Sequence, residues 1–101
     1  MKKEDLTITE TFALALQHHQ KSNFQAAEQL YKQILEIEPD HIESNFRLGS
    51  LLVQTRNFDT AQQLLNKVIQ VDPNHAKAHN NLGIAFQKTK KNQEAINCYE
   101  K

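Results

Sequence analysis

The chain has 101 residues, with 12 basic and 12 acidic side chains that cancel, and only 2 Gly, 2 Pro and 1 Cys. One cysteine excludes an internal disulfide framework, and so few turn-forming residues exclude a β-sandwich or barrel. Zero formal charge supplies no footprint for nucleic acid or an anionic lipid surface, and no apolar run approaches the ~20 residues a membrane span needs.

The first residues, Met1-Lys2-Lys3-Glu4-Asp5, lead into no apolar stretch, so no secretory leader is read and a cytoplasmic setting is expected. Apolar residues then recur at helical rather than strand spacing, which predicts an all-α chain. Helices are expected over roughly 8–21, 24–37, 42–55, 58–71, 76–89 and 92–101. In the third, Phe46, Leu48, Leu51, Leu52 and Val53 make an amphipathic segment. In the fourth, Phe58, Ala61, Leu64, Leu65, Val68 and Ile69 follow an i, i+3, i+4, i+7 pattern. Polar Thr55-Arg56-Asn57 separates the two. Pro39 and Pro73 close the second and fourth helices, because the residue before proline is pushed out of the α region. Asp40 and Asn74 then offer side-chain oxygens as caps for the helices that follow.

The elements repeat. Pro39 and Pro73 lie 34 residues apart, as do Gly49 and Gly83, each preceded by leucine. Ala27, Ala61 and Ala95 recur at the same step, and so do Asn23-Phe24 and Asn57-Phe58. Residues 8–41 and 42–75 are identical at 11 of 34 aligned places, and most mismatches keep polarity. A period in this range marks stacked supersecondary units rather than an ordinary globular domain. Glycine inside a helix costs roughly 1 kcal/mol against alanine, so its recurrence calls for a reason. Close approach of a partner helix is that reason, with Ala27, Ala61 and Ala95 as the facing contacts.

A 34-residue helix–turn–helix unit with Leu-Gly in its first helix, Ala in its second and Pro at its end resembles the tetratricopeptide repeat. The likeness runs from residue 8 to the end of the sequence. Leu14-Ala15, Leu48-Gly49 and Leu82-Gly83 hold the seventh and eighth places, Tyr31, Leu65 and Tyr99 the twenty-fourth, and Pro39 and Pro73 the thirty-second. The departures are Ala15 for glycine, His18 where an aromatic is usual, and Asn92 in place of Phe24 and Phe58. The resemblance implies an α-solenoid, a right-handed superhelical stack of antiparallel helix pairs. Its units would be 8–41, 42–75 and an incomplete 76–101.

No catalytic constellation emerges, and no cofactor or metal is expected. Cys98 stands where Leu64 and Leu30 stand one and two periods earlier, so it reads as an apolar packing residue. His75 and His79 have the i, i+4 spacing of metal ligands, yet His41 recurs one period before His75, which assigns that position to the inter-repeat turn. His18 and His19 diverge by about 100° around a helix and cannot chelate together. Lys88, Lys90 and Lys91 form a basic cluster without interleaved aromatics, which reads as a solvated turn.

What remains is surface. In the family that this sequence resembles, places two, five, six, nine, twelve and thirteen of each first helix line a concave groove. Carried over, these are Thr9, Phe12, Ala13, Leu16, His19 and Gln20; Glu43, Phe46, Arg47, Ser50, Val53 and Gln54; and Lys77, Asn80, Asn81, Ile84, Gln87 and Lys88. Phe12, Leu16, Phe46, Arg47, Ser50, Lys77, Asn80, Asn81 and Ile84 are the candidate binding residues. Phe12 and Phe46 have two roles open, packing between units or touching a ligand. Arg47 and Asn81 are expected to face solvent and hydrogen-bond a peptide. The carboxylate clamp of chaperone-binding members is excluded, because among Phe12, Leu16, Arg47, Lys77 and Asn81 only Lys77 matches its pattern. His79-Asn80-Asn81-Leu82-Gly83 resembles the repeats ahead of O-linked N-acetylglucosamine transferases, where an asparagine at the sixth place contacts peptide backbone.

The resemblance implies a non-catalytic module that binds a protein or peptide partner, with no nucleic acid or membrane. The alternative is the N-terminal arm of a larger glycosyl- or sulfotransferase-like enzyme. Self-association is also expected, through an open helix 92–101 that would expose Ile96, Cys98 or Tyr99.

Overall fold

Thr7 caps the first helix, α1, Ile8–Gln20, through a reciprocal pair of bonds. Its hydroxyl accepts from the Glu10 amide and the Glu10 carboxylate accepts from the Thr7 amide, both at 3.0 Å. The computed structural model describes the backbone of residues 7–99 and the side chains of residues 7–90. Four helices follow: α2, Phe24–Ile37; α3, Ile42–Gln54; α4, Phe58–Val71; and α5, Ala76–Tyr99. Among the described residues there is no strand, and the fold is an all-α helical repeat. No described helix is long and apolar enough to cross a membrane. The overall extents of 63 × 28 × 21 Å are those of an elongated stack. Each helix packs chiefly on its neighbours in sequence, and α3 also touches α5.

The turns repeat in atomic detail. At the end of α1, the Ser22 amide donates to the His19 carbonyl and the Asn23 amide to the His18 carbonyl, at 3.0 and 2.8 Å. At the end of α3, Arg56 donates to Val53 and Asn57 to Leu52, at 3.1 and 2.7 Å. This pairing closes a helix through one left-handed residue, here Ser22 at φ 63° and Arg56 at φ 67°. Phe24 and Phe58 then open the next helix, both half-buried.

The expected third turn does not form: α5 runs through residues 89–92 without a break. Its sequence explains why. The left-handed position falls to Lys90, the residue that follows it is Lys91 instead of asparagine, and the anchoring phenylalanine is replaced by Asn92. A left-handed lysine costs roughly 1–2 kcal/mol, and nothing in this stretch offsets it. Lysine is a good helix former, so the straight course wins.

The caps after the prolines also differ from expectation. Asp40 and Asn74 lie in the turns and do not cap. His41 and His75 do, their Nδ1 atoms accepting the amides of Ser44 and Ala78 at 3.2 and 3.1 Å. Each ring also packs, tilted, against an aromatic of the preceding first helix. His41 lies 5.6 Å from Phe12 and His75 4.5 Å from Phe46, centroid to centroid. An imidazole thus caps one unit and seals it to the last, which an aspartate cannot do.

The core follows the period. Ala27 and Ala61, Tyr31 and Leu65, Ile34 and Val68 are buried pairs 34 residues apart. Gly49 shows why its place is small: a Cβ there would stand 2.8 Å from Leu65 Cγ and 2.9 Å from Cδ2. Gly49→Ala is therefore expected to destabilise the array by about 1–3 kcal/mol, because Leu65 must leave its rotamer. A thermal melt that rises would show that Leu65 yields freely. The leucine stripe is less uniform than the sequence suggests. Leu48 is buried, but Leu14 is 37% exposed and Leu82 half-buried, because α3 has helices on three sides whereas α1 packs mainly on α2.

Candidate functional site

The residues assigned to the groove come together across adjacent first helices. His19 on α1 reaches Gln54 on α3, its Nε2 lying 2.7 Å from Oε1. Asn81 on α5 donates from Nδ2 to the Ser50 hydroxyl on α3, also at 2.7 Å. These two bonds tie α1, α3 and α5 into one continuous face. With Gln54 Oε1 accepting, His19 carries its proton on Nε2, and its Nδ1 accepts the Tyr31 hydroxyl at 3.1 Å. Tyr31 on α2 was not among the sequence candidates. Its signal was a polar aromatic where the next unit has Leu65. Burial pushes its phenol up to about 12, partly opposed by the positive charge of nearby Arg47.

Individual candidates divide into three groups. Phe46 is 6% exposed and packs against His75, so of its two roles it takes the packing one. Phe12 and Leu16 are half-buried, Phe12 with its ring 6.0 Å from that of Tyr31. Lys77, Asn80 and Ile84 are exposed. Arg47, Ser50 and Asn81 are half-buried, which corrects the expectation that Arg47 and Asn81 face solvent freely. Asn81 is held by Ser50, and the Arg47 guanidinium lies over the Phe46 ring at 5.5 Å. Arg47 Nε is buried without any hydrogen-bond partner. A guanidinium N–H in that state lacks an acceptor worth about 1.5–3 kcal/mol.

The two histidines with ligand spacing are occupied by the turn. His75 caps α5 as described, and His79 Nε2 donates to the Pro73 carbonyl at 2.7 Å. Asn45, one period earlier, bonds the Pro39 carbonyl at 3.1 Å in the same way. Among the described residues, no three His, Cys, Asp or Glu side chains gather as a metal site. The side chains of Lys91, Ile96, Cys98 and Tyr99 lie outside the described residues.

Two family models, each described as tetratricopeptide repeat, match residues 18–82 and 76–101. The chain belongs to the tetratricopeptide repeat family. No curated protein matches it. Among solved structures it is similar to MamA from Desulfovibrio magneticus RS-1, with TM-score 0.83 and 20% identity over 93% of this chain and 53% of that one. It is also similar to a mutant of the Thermobaculum terrenum O-GlcNAc transferase, with TM-score 0.74 and 28% identity over 84% of this chain and 16% of that one. A third is the C-terminal TPR-containing domain of a Plasmodium falciparum FK506-binding protein, with TM-score 0.79 and 18% identity over 86% of this chain and 58% of that one. The repeat chain thus spans about half the length of the MamA structure. Its family makes it a protein-interaction repeat module.

Proposed function

We propose that the face shared by α1, α3 and α5 binds an extended, acceptor-rich stretch of a partner polypeptide, without catalysis. The observation that carries this reading is Arg47 Nε, buried and unpartnered in the middle of that face. A bound carbonyl or carboxylate oxygen would complete it. Charge agrees with an acidic partner, since the face carries Arg47, Lys77 and Lys88 against Glu43. Lys77, Asn80 and the 37% exposed Ile84 extend it with donors and apolar surface.

The test is selection from a displayed peptide library, followed by titration of the best peptide against wild type, Arg47→Ala and Arg47→Lys. Arg47→Ala is expected to weaken binding by roughly 10–150-fold, the worth of a charge-assisted hydrogen bond. Its melting midpoint should move little, because losing the contact over Phe46 is offset by removing a buried N–H that has no partner. Equal affinity of wild type and Arg47→Ala would sink the proposal.

A further inference from the structure

We propose that two copies of this chain exchange the C-terminal part of α5, each laying residues 92–99 into the cleft beside Gly83 of the other. The cleft itself is plain. Gly49 sits under Leu65 of α4, whereas a Cβ at Gly83, one period later, would meet nothing within 4 Å. A cleft of about 460 Å³ opens there, lined by Gln62, Asn66, His79, Leu82, Gly83 and Phe86. Phe86 is 63% exposed in it. Gly83 is thus shaped for a helix that the structure does not place on it.

The period says which helix that is. Ala61 and Leu65, the α4 residues beside Gly49, correspond to Ala95 and Tyr99 in α5. Residues 92–99 are therefore the segment of this sequence built to cover Gly83. In the straight α5 they cannot do so in their own molecule. A helix rises about 1.5 Å per residue, so Ala95 lies about 18 Å further along the axis than Gly83.

A second copy removes the difficulty. Two α5 helices running antiparallel about a two-fold axis near residues 89–91 would set Gly83 of each beside Ala95 and Tyr99 of the other. This is the pairing that α3 and α4 make within one chain. The axis falls on the turn that failed to form, at Lys90 and Lys91. A hinge that prefers to stay straight, joined to a segment whose own docking place is vacant, is the condition for reciprocal exchange, and the exchange closes as a dimer.

The experiment uses the 101-residue chain with Cys98→Ser, carrying Gly83→Cys and Tyr99→Cys either together or on separate, mixed molecules. Under mild oxidation the mixed single variants are expected to form a bridged dimer on a non-reducing gel. The double variant should do so as well, and sedimentation equilibrium of the wild type should give twice the chain mass. Restoring the turn with Lys90→Gly, Lys91→Asn and Asn92→Phe should convert the double variant to an internally bridged monomer. Circular dichroism on each variant checks that the helices persist. An internal bridge in the double variant without the restored turn would overturn the exchange, because residues 92–99 would then fold back on their own molecule. Absence of any bridge, a strictly monomeric wild type at millimolar concentration, or open-ended polymers would overturn it equally.

Discussion

Leu65→Ala is expected to lower the unfolding free energy by about 2–5 kcal/mol, the range for a leucine truncated in a core that cannot collapse. Leu65 is fully buried and fills the space that Gly49 leaves on α3. For a chain of this size the whole stability is on the order of 5–15 kcal/mol, so the loss removes a large share of it. Leu82→Ala serves as the contrast. Leu82 holds the same repeat place as buried Leu48 but is half-buried on the open side of α5, and its truncation should cost less than about 2 kcal/mol. Thermal melts of both variants at dilute concentration check this. Equal shifts would mean that the α5 face is covered, contrary to the vacancy at Gly83.

Raising the pH through the range above 10 should destabilise the array, and Tyr31 is the reason. Its phenol is pushed up to about 12 in the fold by burial, against 10.0 when unfolded. Between those values the unfolded chain has released the proton and the folded chain has kept it. Unfolding then releases a proton, and stability falls as pH rises. The contribution is fully present below 10 and gone above 12. The charge of Arg47 acts in the opposite sense but is the smaller effect. Urea midpoints measured at intervals from pH 8 to 12 should drop for the wild type and flatten for Tyr31→Phe. A Tyr31→Phe series that falls just as steeply would assign the alkaline transition to another group. Tyr31→Phe also removes the hydroxyl that His19 accepts, so a modest loss of stability is expected at neutral pH.

Local chemistry sufficed wherever each residue's role depends on near neighbours in the chain. The period in Pro39 and Pro73, Gly49 and Gly83, and the three alanines determined the helix-pair repeat. All five described helices start where the spacing of apolar residues and the prolines put them. These features are legible because helix periodicity and the φ limits of proline act over a few residues. The tertiary structure decided the rest. The course of α5 past Lys90 rests on a competition between an unanchored left-handed turn and helix propensity, which family likeness alone resolves the wrong way. The caps at His41 and His75 depend on rings from the previous unit, Phe12 and Phe46, more than 25 residues earlier in sequence. The His19–Tyr31 and His19–Gln54 contacts join three helices, and the buried Arg47 Nε is known only once α3 is packed. Leu48 and Leu82 share a repeat place and a residue type, yet one is buried and the other half-exposed, because burial depends on which helices flank α3 and α5 in space.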